Sequence, residues 1–188
     1  MIELITLDSS IMLDVRYARD DNFIGRPVYP SARVFLQPVA ANAVANVHRD
    51  LAENGLGLVI FDGYRPWSIT KLFWEVVLPE HRQFVADPER GSKHNRGCAV
   101  DLSLFDRTTG DFLPMPSGYD EFTERASPDY PGGTDDERRN RDLLRSRMEA
   151  AGFTVNPREW WHFDHIDWES YPIADLSFEE AAGLAAPK

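Results

Sequence analysis

Residues 98–105 constrain the fold most, because apolar side chains recur along them at every second position. The even-numbered residues from Cys98 to Leu104 are all apolar and share one face, whereas Asp101 lies on the opposite face. A period of two residues is typical of a strand that packs one side against a core. We therefore predict a strand over 98–105, with Asp101 pointing away from that core.

Helical and strand-like patterns follow one another along the rest of the chain without regular alternation. Helical spacing of apolar residues, or a capping box followed by a glycine, predicts three helices: 38–53, 67–77 and 134–152. Short apolar runs beside turn residues predict three further strands: 56–61, 153–155 and 160–163. Such irregular mixing favours an α+β fold, in which helices pack on a small, largely antiparallel sheet.

The length of 188 residues suits one domain, and no repeat or low-complexity tract divides it. We expect a single domain over 1–188, with an irregular N-terminal segment over about 1–35 and a short C-terminal tail over about 176–188. Prolines and glycines concentrate in residues 106–133 and predict a long loop there. Loops of this length in compact domains are usually functional.

The charge of the chain limits its partners. The 31 Asp and Glu residues outnumber the 20 Lys and Arg residues, which gives a formal net charge of -11. Such a surface repels phosphate backbones and anionic lipids, and no run approaches the ~18 apolar residues of a membrane span. We therefore expect no nucleic-acid or membrane partner, and no obligate protein partner is inferred. The single Cys98 and an N-terminus without a basic region favour the cytoplasm.

Two histidines and one aspartate form a candidate metal site. His94, Asp101 and His162 supply two imidazoles and a carboxylate, and three protein ligands with an open fourth position are typical of catalytic zinc. Zinc lowers the pKa of a bound water towards ~7 and so makes hydroxide available at neutral pH. The three residues thus predict a sheet that bears a zinc site.

Glu159, three residues before His162, is a candidate general base. The adjacent tryptophans exclude solvent and are expected to raise the pKa of its carboxyl group. In a flat strand, however, residues three apart point to opposite faces. The hypothesis therefore requires a bulge or a helical turn at 159–161.

Less specific interpretations stay open on the residues alone. Each histidine also suits a core or a surface position, Asp101 suits a turn cap, and Arg65 suits a buried ion pair. Two histidines and one carboxylate also describe non-haem iron oxygenases, although the spacing and the nearby Glu159 argue against that class. A third alternative is a non-catalytic metal- or peptide-binding module, against which the presence of both Glu159 and Arg65 speaks.

Several segments resemble one enzyme family. SKHNRGCAVD and EWWH match the S-x-H-x-x-G-x-A-x-D and E-x-W-H signatures of the zinc D,D-peptidases. More narrowly, the chain resembles the VanX-type D-alanyl-D-alanine dipeptidases in DVRYARDDNFIGRPVY (14–29), FDGYRPW (61–67), PMPSGYDEFTER (114–125) and EWWHFD (159–164). The similarity extends in order from about residue 8 to residue 175.

The resemblance implies a metal centre and a mechanism. One zinc ion per chain would be bound by His94, Asp101 and His162, with Glu159 as the catalytic base. Arg65 would polarise the scissile carbonyl and hold the oxyanion, a role suited to a group that stays charged.

The resemblance also implies a substrate. Asp120 would receive the ammonium group of the dipeptide D-Ala-D-Ala, and Ser92 and Tyr17 would be further substrate contacts. Hydrolysis would yield two D-alanines, a reaction that serves either glycopeptide-antibiotic resistance or the turnover of cell-wall D-alanine. The nearest alternative is a D,D- or L,D-carboxypeptidase acting on peptidoglycan stem peptides, which would ordinarily need export.

Overall fold

The computed structural model describes residues 1–184. Seven strands follow the chain in this order: β1 (Ile2–Glu3), β2 (Met12–Leu13), β3 (Phe35–Leu36), β4 (Leu56–Asp62), β5 (Ala99–Asp106), β6 (Phe153–Asn156) and β7 (Glu159–His165). Four α-helices accompany them: α1 (Pro38–Ala52), α2 (Trp67–Val76), α3 (Asp135–Ala150) and α4 (Phe178–Gly183). Short 3-10 turns occur at Leu4–Thr6, Arg16–Ala18, Pro79–Phe84, His94–Arg96, Glu124–Ala126 and Trp168–Ser170.

The main sheet has five strands in the order β2-β4-β5-β7-β6. Only β2 and β4 run parallel, and the other neighbours are antiparallel. Helix α1 packs on β4 and α3 packs on β6, while β1 and β3 form a small second sheet. The predicted α+β fold with a small, largely antiparallel sheet is confirmed.

The alternation in strand β5 predicted the surroundings of one face of the strand but not of the other. Val100, Leu102 and Leu104 enter the main core as predicted. The opposite face is also covered, because Phe105 packs with residues of β4 in a second cluster, and Asp101 is only 3% exposed. Asp101 points away from the main core, yet it does not reach solvent.

Strand β7 contains the bulge that the candidate site requires. Val155 of β6 lies opposite Phe163, but the next residue, Asn156, lies opposite Glu159. Between these two pairs β7 contributes three extra residues, 160–162, and β6 contributes none. The bulge brings Glu159 Oε2 to 3.7 Å from His162 Nδ1, so both side chains face one side of the sheet.

Helix α3 begins as its sequence predicts. Thr134 Oγ1 accepts a hydrogen bond from the Glu137 amide at 3.2 Å, and Glu137 Oε2 accepts one from the Thr134 amide at 2.6 Å. A reciprocal cap of this kind stabilises a helix by about 1 kcal/mol. Gly152, with a φ of 87°, turns the chain back into β6.

The predicted C-terminal tail over 176–188 needs a correction. Residues Phe178–Gly183 form α4, and the Phe178 ring packs 5.0 Å from the Tyr29 ring and 5.5 Å from the Phe35 ring. An apolar face that the sequence did not reveal therefore docks this segment on the core. Residues 185–188 of the predicted tail lie outside the described residues. Within residues 1–184, no helix is long and apolar enough to cross a membrane.

Candidate active site

Three separate elements bring the predicted metal ligands together. His94 lies in the 3-10 turn before β5, Asp101 lies on β5, and His162 lies on β7 directly opposite Asp101. All three residues are buried, with exposed fractions of 8% or less. The pairing of β5 with β7 thus fixes two ligands, and the turn supplies the third.

The distances between the three candidate ligand atoms suit a tetrahedral metal site. His94 Nε2 lies 3.1 Å from His162 Nδ1, and Asp101 Oδ1 lies 3.4 Å and 3.0 Å from these two nitrogens. Zinc bonds of about 2.0–2.1 Å in tetrahedral geometry place ligand atoms about 3.3 Å apart. The observed spacing is therefore close to that of a zinc coordination shell.

Hydrogen bonds direct the outer nitrogen of each imidazole away from the three converging atoms. His94 Nδ1 donates to Gly63 O at 2.7 Å, and His162 Nε2 donates to Asp164 Oδ1 at 2.9 Å, so this network assigns a lone pair to each inner nitrogen. Asp101 Oδ1 is buried and accepts no hydrogen bond from residues 1–184. When both rings are neutral, three buried lone pairs face one another, and a bound cation relieves their repulsion. Two imidazole nitrogens and one carboxylate oxygen are a donor set that fits Zn²⁺.

Glu159 lies beside this cluster and is held by its neighbour in the turn. Its Oε2 accepts a hydrogen bond from Asn156 Nδ2 at 2.9 Å. Burial raises the pKa of Glu159 to about 7, although the charge of His162 opposes the shift. A carboxyl group with a pKa near neutrality is suited to accept and return a proton.

Arg65 follows β4 directly and is buried at the same side of the sheet. Its Nε and Nη2 donate to Asp62 Oδ2 at 3.0 and 2.7 Å, and Nη2 lies 4.0 Å from Asp101 Oδ2. The guanidinium also lies over the Phe73 ring, 4.7 Å from its centroid. Arg65 is therefore a buried ion-pair partner, as one interpretation of the sequence had it, and it also stands beside a candidate metal ligand.

The three predicted substrate contacts border the same space. Tyr17 Oη donates to Asp120 Oδ2 at 2.8 Å, and burial raises the pKa of Asp120 well above its usual value although this hydrogen bond opposes the shift. Ser92 Oγ accepts from the His94 amide at 3.2 Å and thereby supports the turn that carries His94. A cavity of about 610 Å³ is lined by all eight predicted site residues: Tyr17, Arg65, Ser92, His94, Asp101, Asp120, Glu159 and His162.

Four residues that support this site were missed by sequence reasoning. Asp164 orients His162, Asp62 binds Arg65, Asn156 binds Glu159, and Tyr119 donates to Asp101 Oδ2 at 3.0 Å. The acids had a readable signal, because each lies two or three residues from a predicted site residue. Tyr119 had none, since only the folded loop brings it to β5.

Cys98 directly precedes the strand that carries Asp101. The thiol is buried, and burial raises its pKa to about 12. Because the thiolate is the reactive form, this cysteine is protected from oxidation.

Comparisons with known proteins identify the relatives of this chain. Residues 2–180 match the model of the D-ala-D-ala dipeptidase family. The chain is 36% identical over 173 residues to the D-alanyl-D-alanine dipeptidase of Escherichia coli, covering 92% of this chain and 88% of that protein. It is 34% identical over 184 residues to the D-alanyl-D-alanine dipeptidase of Enterococcus faecalis, covering 88% of this chain and 90% of that protein. Among solved structures, the LdcB LD-carboxypeptidase is similar with a TM-score of 0.46 and 18% identity, over 91% of this chain and 75% of that one.

Proposed function

The chain belongs to the D-Ala-D-Ala dipeptidase family of metallopeptidases, and we propose that it is a zinc enzyme that hydrolyses the free dipeptide D-Ala-D-Ala to two D-alanines. One observation carries the proposal. Three buried atoms that can each bind a metal, His94 Nε2, Asp101 Oδ1 and His162 Nδ1, converge within 3.4 Å of one another. A proton acceptor and a fixed cation, Glu159 and Arg65, border the same cavity.

His94, Asp101 and His162 would hold one zinc ion per chain. When bound, zinc polarises a carbonyl group and makes water a stronger acid. The carbonyl of Gly63 and the carboxylate of Asp164 keep the outer imidazole nitrogens protonated, and so keep the inner nitrogens available as ligands.

Glu159 acts as the general base. It takes a proton from the water that attacks the scissile carbonyl and delivers that proton to the nitrogen of the departing D-alanine. Burial raises the pKa of Glu159, which favours the return of the proton after it has been accepted. Asn156 orients this carboxylate through its hydrogen bond to Oε2, the oxygen that lies 3.7 Å from His162 Nδ1.

Arg65 stabilises the negative charge that develops on the carbonyl oxygen. Its guanidinium is held by Asp62 at two nitrogens, so it needs little reorganisation during the reaction. Its position 4.0 Å from Asp101 Oδ2 places the positive charge beside the proposed metal ligands.

Asp120 receives the ammonium group of the substrate. Tyr17 donates to one of its oxygens and orients the carboxylate, and Ser92 contributes a hydroxyl group to the same cavity. A carboxylate at this place favours a free amino terminus, which distinguishes a dipeptidase from the carboxypeptidase alternative. Membership of a peptidase family contradicts the oxygenase alternative. A cytoplasmic location is part of the proposal and is supported by the free, buried Cys98.

The test uses three substrates and measures the alanine that is released. Protein stripped with a chelator and then given Zn²⁺ is incubated with D-Ala-D-Ala, L-Ala-L-Ala and a tripeptide that ends in D-Ala-D-Ala. We expect release of D-alanine from D-Ala-D-Ala alone, with activity lost on chelation and restored by Zn²⁺. Efficient cleavage of the tripeptide would make the protein a carboxypeptidase, and no cleavage of any substrate would overturn the proposal.

A further inference from the structure

The two carboxylate oxygens of Asp101 have different surroundings. Oδ1 faces the two ligand nitrogens, whereas Oδ2 accepts a hydrogen bond from Tyr119 Oη at 3.0 Å. Because Oδ2 is taken by this hydrogen bond, Oδ1 is the carboxylate oxygen that is left to bind a metal. Hydrogen bonds of this kind orient ligating carboxylates and tune their affinity for the metal.

The packing of the Tyr119 ring fixes the direction of its hydroxyl group. The ring centroid lies 4.7 Å from that of Phe61 on β4 and 5.5 Å from that of Trp161 in the bulge of β7. The ring is thus positioned by apolar contacts, and the hydroxyl contributes the contact with Asp101. Removal of the hydroxyl alone would leave the packing in place.

Tyr119 precedes Asp120, whose backbone is unusual. The φ angle of Asp120 is 58°, and no other non-glycine residue among 1–184 has a positive φ. Aspartate tolerates this left-handed conformation better than most residues but still at a cost. The contacts of Tyr119 with Asp101 and of Tyr17 with Asp120 hold the turn on both sides, and Trp160 Nε1 donates to Ser117 Oγ at 2.8 Å just before it.

Tyr119 therefore touches the metal centre with its hydroxyl and the substrate subsite through its backbone. Building on the proposed function, we propose that Tyr119 is a positioning residue that links metal binding to recognition of the substrate ammonium. Its hydroxyl keeps Asp101 a ligand through one oxygen and at the same time anchors the turn that presents Asp120.

The test removes the hydroxyl with Tyr119→Phe and measures zinc affinity by competition with a chromogenic chelator. We expect zinc affinity to fall about 10- to 100-fold, the usual effect of losing a partner of a metal ligand. At saturating zinc, the KM for D-Ala-D-Ala should rise more than kcat falls, because Asp120 is less well held. The visible absorption of the Co²⁺-substituted protein should also change, since Asp101 is free to bind through both oxygens.

Two further variants serve as controls. One removes the hydroxyl of a different buried tyrosine, and the other removes the Tyr119 hydroxyl together with the packing of its ring. Tyr64→Phe removes a hydroxyl that exchanges hydrogen bonds with the Leu176 backbone at 2.7 and 3.1 Å, and it should leave zinc affinity and KM unchanged. Tyr119→Leu should match Tyr119→Phe in zinc affinity while losing more thermal stability.

The outcomes distinguish this proposal from the proposed function. If Tyr119→Phe binds zinc and substrate as tightly as Tyr64→Phe while the wild type cleaves D-Ala-D-Ala, only the role of Tyr119 is overturned. If the wild type binds no zinc, both proposals fail.

Discussion

The histidines of the candidate metal centre and His48 are all buried but differ in what surrounds their rings. His94 and His162 direct their outer nitrogens at acceptors, Gly63 O and Asp164 Oδ1. His48 is fully buried between α1 and β4, yet its Nδ1 accepts a hydrogen bond from the Leu58 amide at 3.0 Å. Its Nε2 lies 3.0 Å from Ser10 Oγ and 2.9 Å from Arg107 Nη1.

The difference teaches how a buried ligand is told from a buried structural histidine. An imidazole whose lone pair accepts a hydrogen bond from the backbone, and which lies beside a guanidinium, has no lone pair left for a metal and no need for a cation. An imidazole that donates outward turns its other nitrogen into a ligand. The surrounding groups decide the role, and burial does not.

The strongest test of this comparison replaces one histidine at a time. His94→Ala or His162→Ala should lose bound zinc and reduce hydrolysis of D-Ala-D-Ala to the background rate, because only two ligands remain. His48→Gln should keep about one zinc per chain and keep its activity. For each variant, the bound zinc is measured by atomic absorption and the activity by the D-alanine that is released. Full zinc occupancy in a His94→Ala/His162→Ala double variant would falsify the ligand assignment.

Glu159 sharpens the comparison, because it touches the metal centre without belonging to the proposed ligands. Glu159→Gln keeps the shape of the side chain and its contact with Asn156 but cannot accept a proton. Zinc content should stay at the wild-type level, and kcat should fall by about 10²- to 10⁴-fold. Near wild-type turnover would mean that another group activates the water.

Asp120 extends the comparison from the metal to the substrate. Wild type should strongly prefer D-Ala-D-Ala to its N-acetyl form, since acylation leaves the carboxylate without its charged partner. Asp120→Asn preserves a residue that accepts the left-handed backbone and should lower kcat/KM for the free dipeptide by roughly tenfold to a few hundredfold. Zinc affinity is the control and should not change. Equal hydrolysis of both substrates by wild type would contradict the role of Asp120.

The smallest expected effect belongs to His48 and concerns stability. Burial lowers the pKa of His48; Asp8 opposes the shift, while Arg107 and Arg49 add to it. The folded state thus favours neutral His48, so its contribution is present above the unfolded pKa of about 6.5 and is lost as pH falls below it. Between about pH 6.5 and 5, the free energy of unfolding measured with urea should fall more for wild type than for His48→Gln. Parallel pH profiles would show that His48 does not titrate on unfolding.

Periodicity sufficed for the parts of the fold where one rule acts over many residues. Helix α1 and strands β4 and β5 were predicted nearly to their ends, as was the capping box of α3. Within the predicted tail, the helix at 178–183 was missed, because α4 is too short to show a helical period and is stabilised by packing of Phe178 on Tyr29 and Phe35. Short elements depend on tertiary contacts that no local pattern encodes.

The candidate site divides in the same way. Its chemistry was predictable from residue types and motif resemblance, and all eight predicted residues line one cavity. The groups that orient them, such as Tyr119 and the Gly63 carbonyl, were not predictable, because they come from loops that fold back over the sheet. Even the bulge was only a requirement of the hypothesis until the register of β6 and β7 was known.

The three extra residues of β7 make chain length matter as much as residue identity at 159–162. Deleting one of them would carry Glu159 one step along the strand, and side chains one step apart point to opposite faces. An insertion would have the same consequence. At the exposed tip of the 106–133 loop, residues 108–111, in contrast, a changed length costs little more than loop entropy. Natural variants of this chain should therefore gain and lose residues in the loop, and keep the spacing of Glu159 and His162 constant while the residues between them change.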